Sequence, residues 1–191
     1  MNEQLREYLR KNESVCWESK VKPFTALDGK YKTKFLGKFL VTFLIAAGIG
    51  GGHIVSGASI KVGVLVLLAG LVIAVALMPV MERARLMKAR YWITDQRVIV
   101  LGSDKLFRSM EIEDIDTFKV MADENADSCL VLGSSVFQDT EKNMRWRAGN
   151  PKMPEGAGSS KDHALGMILY NAENVAEAVE VLKKQGCVKI A

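Results

Sequence analysis

Two uncharged apolar stretches, one directly after the other, constrain this chain more than any other feature. Residues 39–60, FLVTFLIAAGIGGGHIVSGASI, lie between Lys38 and Lys61, and residues 62–81, VGVLVLLAGLVIAVALMPVM, lie between Lys61 and Glu82. Each is about 20 residues long, and at about 1.5 Å of rise per residue such a helix crosses a hydrocarbon core of about 30 Å while satisfying its own backbone polar groups. The opposing interpretation is a buried helical hairpin in a soluble protein. Two successive helices, apolar on every side, would need a larger core than the other residues can build around them. The sequence therefore predicts a transmembrane hairpin over 35–82, with spans at about 39–58 and 62–81.

The connection at Ser56-Gly57-Ala58-Ser59 is short, small and polar, so the spans should run antiparallel and emerge on one side. Flanking charge selects that side. Lys20, Lys22, Lys30, Lys32, Lys34 and Lys38 precede the first span, and Arg83, Arg85, Lys88 and Arg90 follow the second, whereas the connection offers only Lys61. The positive-inside rule then predicts cytoplasmic termini, with basic collars that attract anionic headgroups. The net charge of +4 divides accordingly into +8 over residues 1–90 and −4 over residues 91–191. Because the basic excess sits beside apolar runs and not on a folded basic domain, bulk charge gives no nucleic-acid reading. The first apolar stretch begins near residue 39, so no secretory signal is expected at the start.

Gly48, Gly50, Gly51 and Gly52 fall in the first span, and Gly70 and Ala74 lie four apart in the second. Small residues at that spacing let helix backbones approach closely, so Gly48, Gly52, Gly70 and Ala74 are expected packing positions, within the hairpin or between copies in a homo-oligomer. A phosphate-binding glycine loop is rejected, since no strand precedes Gly48. His53 is expected at the outer interface, without an intramembrane acid to make a proton relay.

The N-terminal segment, 1–34, carries a short amphipathic pattern at Leu5, Tyr8 and Leu9, which suits either a membrane-surface helix or a small helix packed on the cytosolic domain. Residues 14–31 read as an irregular or extended lead-in. Strand periodicity follows the spans. Tyr91-Trp92-Ile93-Thr94 and Arg97-Val98-Ile99-Val100-Leu101 flank Asp95-Gln96 as a tight hairpin, and further strands are expected at about 106–112, 117–122, 129–136, 144–148 and 165–170. That makes seven. After Asn171, AENVAEAVEVLKKQ presents Val175, Ala178, Val179 and Leu182 on one helical face and ends at Gly186.

Two spans followed by YWITDQRVIVLGSDKLFRSMEIEDIDTFKV resemble the membrane-anchored bacterial pleckstrin-homology-like family, through Tyr91, Thr94, Asp95, Arg97 and the Ile112–Ile115 region. The resemblance extends from Glu13-Ser14-Val15-Cys16-Trp17, which looks like the family's lead-in, to the closing helix. It implies an α+β chain: a two-helix transmembrane hairpin, then a seven-strand PH-like sandwich or barrel over 88–187 with one C-terminal helix. It implies a bacterial inner-membrane protein with a cytosolic binding scaffold, and the fold alone names no ligand.

Lys142, Arg145, Arg147 and Lys152, interleaved with Trp146, form the basic-aromatic cluster of the acidic half, a candidate contact for anionic lipid or an acidic partner. The alternative turns Arg145 and Arg147 to solvent and Trp146 inward. Arg97 joins them as a candidate ligand contact, against a structural role in which Asp95 bonds local backbone and Arg97 pairs a nearby acid. Glu111, Glu113, Asp114 and Asp116 read as a solvated edge and turn, since they lack calcium-loop spacing. The 150–162 loop has no Gly-Lys-Ser/Thr, and Cys16, Cys129 and Cys187 form no CxxC or metal-ligand pair. His163 has no nucleophile motif near it.

These readings predict no enzyme, no cofactor and no metal. They predict a membrane-anchored binding or scaffold module whose partners are the bilayer, an unidentified protein and a second copy of itself, with no nucleic acid. The alternative is an accessory subunit of a membrane transporter or an envelope-stress system. A transporter should carry paired intramembrane polar residues, and neither span contains Asp, Glu, Lys or Arg.

Overall fold

The chain leaves one sheet, makes both apolar helices, and returns to the same sheet. The structure, a computed structural model, describes residues 3–56, 62–122, 128–137, 145, 151–154 and 163–188. Helix α1 spans Glu3–Tyr8 and strand β1 Val15–Lys20, followed by helices α2 (Gly29–Val55) and α3 (Val62–Leu86). Then come β2 (Arg90–Thr94), β3 (Arg97–Leu101), β4 (Phe107–Glu111), β5 (Phe118–Ala122), β6 (Ser128–Leu132), β7 (Met167–Tyr170) and helix α4 (Val175–Lys184). The fold is α+β, with two antiparallel sheets ordered β1-β2-β3-β4 and β5-β6-β7.

Seven strands are described, but they are not the expected seven. The first is β1, which lies in the segment read as an irregular or extended lead-in and pairs with β2 from Lys20 opposite Arg90 to Val15 opposite Thr94, with Cys16 as a bulge. The strand expected at 144–148 lies outside the described residues except for Arg145, which is helical. Residues 1–24 and 84–191 form one compact unit and residues 25–83 a second. The N-terminal segment is thus divided, its first 24 residues belonging to the globular unit.

In the second unit, α2 has 27 residues and α3 has 25, each long enough to cross a membrane. Their apolar windows have mean hydropathies of 1.7 and 2.9, and 0% and 6% of those windows is buried. A helix of a soluble core would bury most of that surface, whereas Leu40, Phe43, Leu44, Leu67, Ile73 and Val80 are each more than half exposed. The Tyr31 hydroxyl, near the start of α2, donates to the Glu82 carboxylate near the end of α3.

The globular unit has one main core shared by the two sheets and α4. Trp17, Tyr91, Ile93, Val98, Val100 and Met110 enter it from the first sheet, and Phe118, Leu130, Leu132, Met167 and Leu169 from the second. Helix α4 contributes Val175, Ala178, Val179 and Leu182, the face its 3.6-residue period predicts. Leu86, in the last turn of α3, also belongs to this core. A smaller cluster lies on the other face of the first sheet, where Leu5 of α1 packs with Trp92, Ile99 and Leu101. Helix α1 is therefore a packing helix on the globular unit. Its cover explains why β3 is buried along its whole length and β2 at all but Arg90, and why both read as nearly continuous apolar runs.

Candidate functional site

The Thr94-Asp95-Gln96-Arg97 turn is built by its own side chains and then used to hold the N-terminal segment. The Thr94 hydroxyl accepts the backbone N–H groups of Gln96 (3.2 Å) and Arg97 (2.9 Å), closing a two-residue connection without glycine. Two carboxylates then join the turn to the chain before β1. Asp95 accepts the backbone N–H of Ser14 at 3.0 Å and its hydroxyl at 2.9 Å, while the Asp95 N–H donates back to the Ser14 carbonyl at 3.1 Å. These bonds hold the Asp95 carboxyl below its ordinary range, the Ser14 backbone N–H contributing most.

Arg97 faces inward. Its Nε and Nη2 donate to the two oxygens of Glu13 at 2.9 and 3.0 Å, a bidentate pair with 6% and 0% of the side chains exposed. Nη2 also donates to the Tyr8 carbonyl at 2.9 Å, and the guanidinium lies 4.6 Å from the Tyr8 ring centroid. That ring stacks on Phe107 at 4.5 Å. Glu13 further accepts the Arg10 N–H at 2.7 Å and the Thr94 hydroxyl at 2.8 Å. Burial by itself raises the Glu13 carboxyl, and the bonds from Arg97, Arg10 and Thr94 outweigh it, leaving the group below its ordinary value. Arg97, a candidate ligand contact, is therefore committed to a structural ion pair, as the competing reading of a nearby acid expected. The residues that sequence reasoning left unpaired with this turn are Glu13 and Ser14, and the available signal was their place in the resembling lead-in.

The basic cluster divides. Arg145 is only 4% exposed. Its Nε donates to the Tyr170 hydroxyl at 2.7 Å and its guanidinium lies 4.8 Å from the Phe24 ring centroid. It is neither a surface lipid contact nor the outward-facing residue of the alternative, because its guanidinium is buried against a phenol and an aromatic face inside the unit. Lys152 keeps an exposed side chain, held through backbone bonds to Gly166 and Leu165. Lys142 and Arg147, with Trp146, lie outside the described residues.

The expected packing glycines are open. A Cβ added at Gly48, Gly52 or Gly70 would meet nothing within 4 Å, and Ala74 is exposed, so the hairpin does not pack on itself through these positions. The acidic cluster is divided among separate tasks. Glu111 pairs with Arg10 at 2.6 Å, Asp116 accepts from Ser134 and Thr117, and Asp114 lies 3.4 Å from His163 Nε2. No group of three or more His, Cys, Asp or Glu among the described residues could hold a metal ion. Cys129 and Cys187 are buried and Cys16 is exposed, and none of the three is in a disulfide.

The strongest constellation in the globular unit is thus a latch between the segment before β1 and the β2–β3 turn. No family model, no curated protein and no solved structure matches the chain.

Proposed function

We propose that the chain is a membrane-anchored binding module. Helices α2 and α3 cross the bacterial inner membrane as a hairpin, both termini are cytoplasmic, and the globular unit is a pleckstrin-homology-like scaffold at the cytosolic face. It works through contacts with a protein partner, with a second copy of the chain, or with the lipid surface. The observation that carries this reading is the insertion point: the whole hairpin lies in sequence between β1 and β2, yet Lys20 and Arg90 are direct partners in one sheet. A chain that leaves and re-enters a sheet at adjacent positions must return to the side it left, which two crossings accomplish. The Tyr31–Glu82 bond joins the beginning of α2 to the end of α3 in the same sense. Basic residues concentrate at those ends, which favours the cytoplasm. Seven described strands in two antiparallel sheets, followed by a closing helix, fit the seven-strand, one-helix unit that the resemblance implies.

Thiol accessibility tests the topology. Cys16 is exposed, while Cys129 and Cys187 are buried, so the native chain presents one accessible thiol on the globular unit. With a membrane-impermeant maleimide, Cys16 should label only after permeabilisation, and Ser56→Cys in a Cys16→Ser background should label in intact cells. Labelling of Cys16 from outside, or of Ser56→Cys only from within, would overturn the assignment.

A further inference from the structure

The register of the first sheet brings one turn to the end where the chain departs for the apolar helices. Lys20 pairs with Arg90, Arg90 with Leu101 and Leu101 with Phe107, so the β3–β4 turn, Gly102–Leu106, extends beyond that row. The turn is tightly bonded. Gly102 N–H donates to the Leu106 carbonyl and Lys105 N–H to the Gly102 carbonyl, both at 3.1 Å. Asp104 accepts the Leu106 N–H at 3.1 Å and pairs with Arg108 at 2.6 Å, which cancels the turn's one acidic charge. A Cβ at position 102 would approach Asp104 Oδ1 to 2.5 Å, so glycine is needed to seat that pair. What the turn presents outward is Leu106, 57% exposed, and Lys105, held at a left-handed φ of 62° that glycine would adopt at lower cost.

We propose that this turn is a lipid-surface contact, with Leu106 seated in the interface of an anionic bilayer and Lys105 among its headgroups. The proposal rests on the reading of α2 and α3 as membrane spans. From Met81, the last uncharged residue of the second stretch, to Arg90 the chain comprises five helical residues and four more. That segment reaches at most about 20 Å, so this end of the sheet stays close to the headgroup layer. Lys22 and Lys88 are exposed on the two segments that connect this end of the sheet to the helices, and with Lys105 they give the charge that anionic headgroups complement. A lone leucine on a surface needs no explanation, whereas a leucine beside a lysine on a braced turn, within tether length of a bilayer, matches the amphipathic chemistry of an interface.

The test uses the full chain, in a Cys16→Ser background, reconstituted into phosphatidylcholine vesicles containing phosphatidylglycerol. An environment-sensitive fluorophore is placed at Leu106→Cys, at Val80→Cys on α3, and at Lys184→Cys, which lies at the opposite end of the unit where Gln185 bonds the Thr94 carbonyl. Quenching by lipids carrying a headgroup nitroxide should be at least about threefold stronger at 106 than at 184, and Lys105→Gln should lower the docked-to-free ratio about fivefold. If the probe at 80 responds to lipid-borne quencher but 106 is quenched no more than 184, the turn does not touch lipid and the proposal fails while the spans stand. If lipid-borne quenchers at any depth leave the probe at 80 unaffected, the membrane reading fails with it.

Discussion

The Glu13–Arg97 pair should be far more costly to halve than to remove. Glu13→Gln leaves a guanidinium that is 6% exposed without its counter-charge, and Arg97→Met leaves a fully covered carboxylate. Either change should cost about 3–5 kcal/mol, as stranding one partner of a buried pair does. In a unit of about 130 residues that lowers Tm by roughly 10–20 °C. The double variant Glu13→Leu/Arg97→Met strands no charge. Its remaining cost is the loss of an acceptor for the Arg10 N–H and the Thr94 hydroxyl and of a donor to the Tyr8 carbonyl, about 3 kcal/mol together. The coupling energy should therefore be about 3 kcal/mol or more. Thermal unfolding in mild detergent, followed by tryptophan fluorescence, reads the right unit, because Trp17, Trp92 and Trp146 all fall within residues 1–24 and 84–191. Additive single-variant losses would refute the latch. The pH dependence has a defined sign: the Glu13 carboxyl is held below its ordinary value in the folded chain, so its stabilisation is complete above about pH 4.5 and is lost as pH falls through the lowered value. Glu13→Gln should flatten that part of the acid limb.

Two further outcomes follow from the insertion and from the buried arginine. A fragment of residues 88–191 should fail to fold by circular dichroism and thermal melting, since it lacks Leu5, Trp17, Val21 and Phe24, whose burial contributes about 8 kcal/mol, comparable to the whole stability of a domain. Joining residues 1–24 to 84–191 through about eight Gly/Ser residues should restore a cooperative melt, and no melt would show that the apolar helices are needed to fold the unit. Arg145→Ala should lower Tm by roughly 5–10 °C, whereas Lys152→Ala should change stability by under about 0.5 kcal/mol; equal effects would refute the inward placement of Arg145.

What was legible in the sequence was local. The apolar stretches declare themselves by length and lack of charge, and the α4 face by a period contained within ten residues. Even there the boundary shifted: Asn174, left-handed at φ 54° and making no side-chain cap bond, precedes the helix, and Asn171 does not. Strand β1 was not legible, because in VCWESK only Trp17 supplies a large inward apolar group, and the alternation that marks a strand is otherwise carried by Ser19. Its partner lies about 70 residues away, beyond any local pattern. Arg145 misled for a different reason. A basic residue beside tryptophan reads as surface, yet its Nε donates to Tyr170 at 25 positions' separation and its guanidinium lies against the Phe24 ring.

The Thr-Asp-x-Arg turn shows how the distant and local parts fit together. Taken alone, a hydroxyl, a carboxylate and a guanidinium at a loop tip are equally suited to a ligand or to a fold, and the deciding partners are Glu13 and Ser14, more than 80 positions earlier. Those partners matter because of where the hairpin is inserted. Strand β1 is separated in sequence from the rest of its sheet by the excursion through α2 and α3, and at the Lys20 end it is held by its pairing with Arg90. At the other end the Glu13–Arg97 and Ser14–Asp95 bonds fix it independently of the helices. An edge strand cut off in sequence from the rest of its sheet keeps its register when both of its ends are bonded, which accounts for a costly buried charge pair at the end of the strand opposite the Lys20–Arg90 pairing.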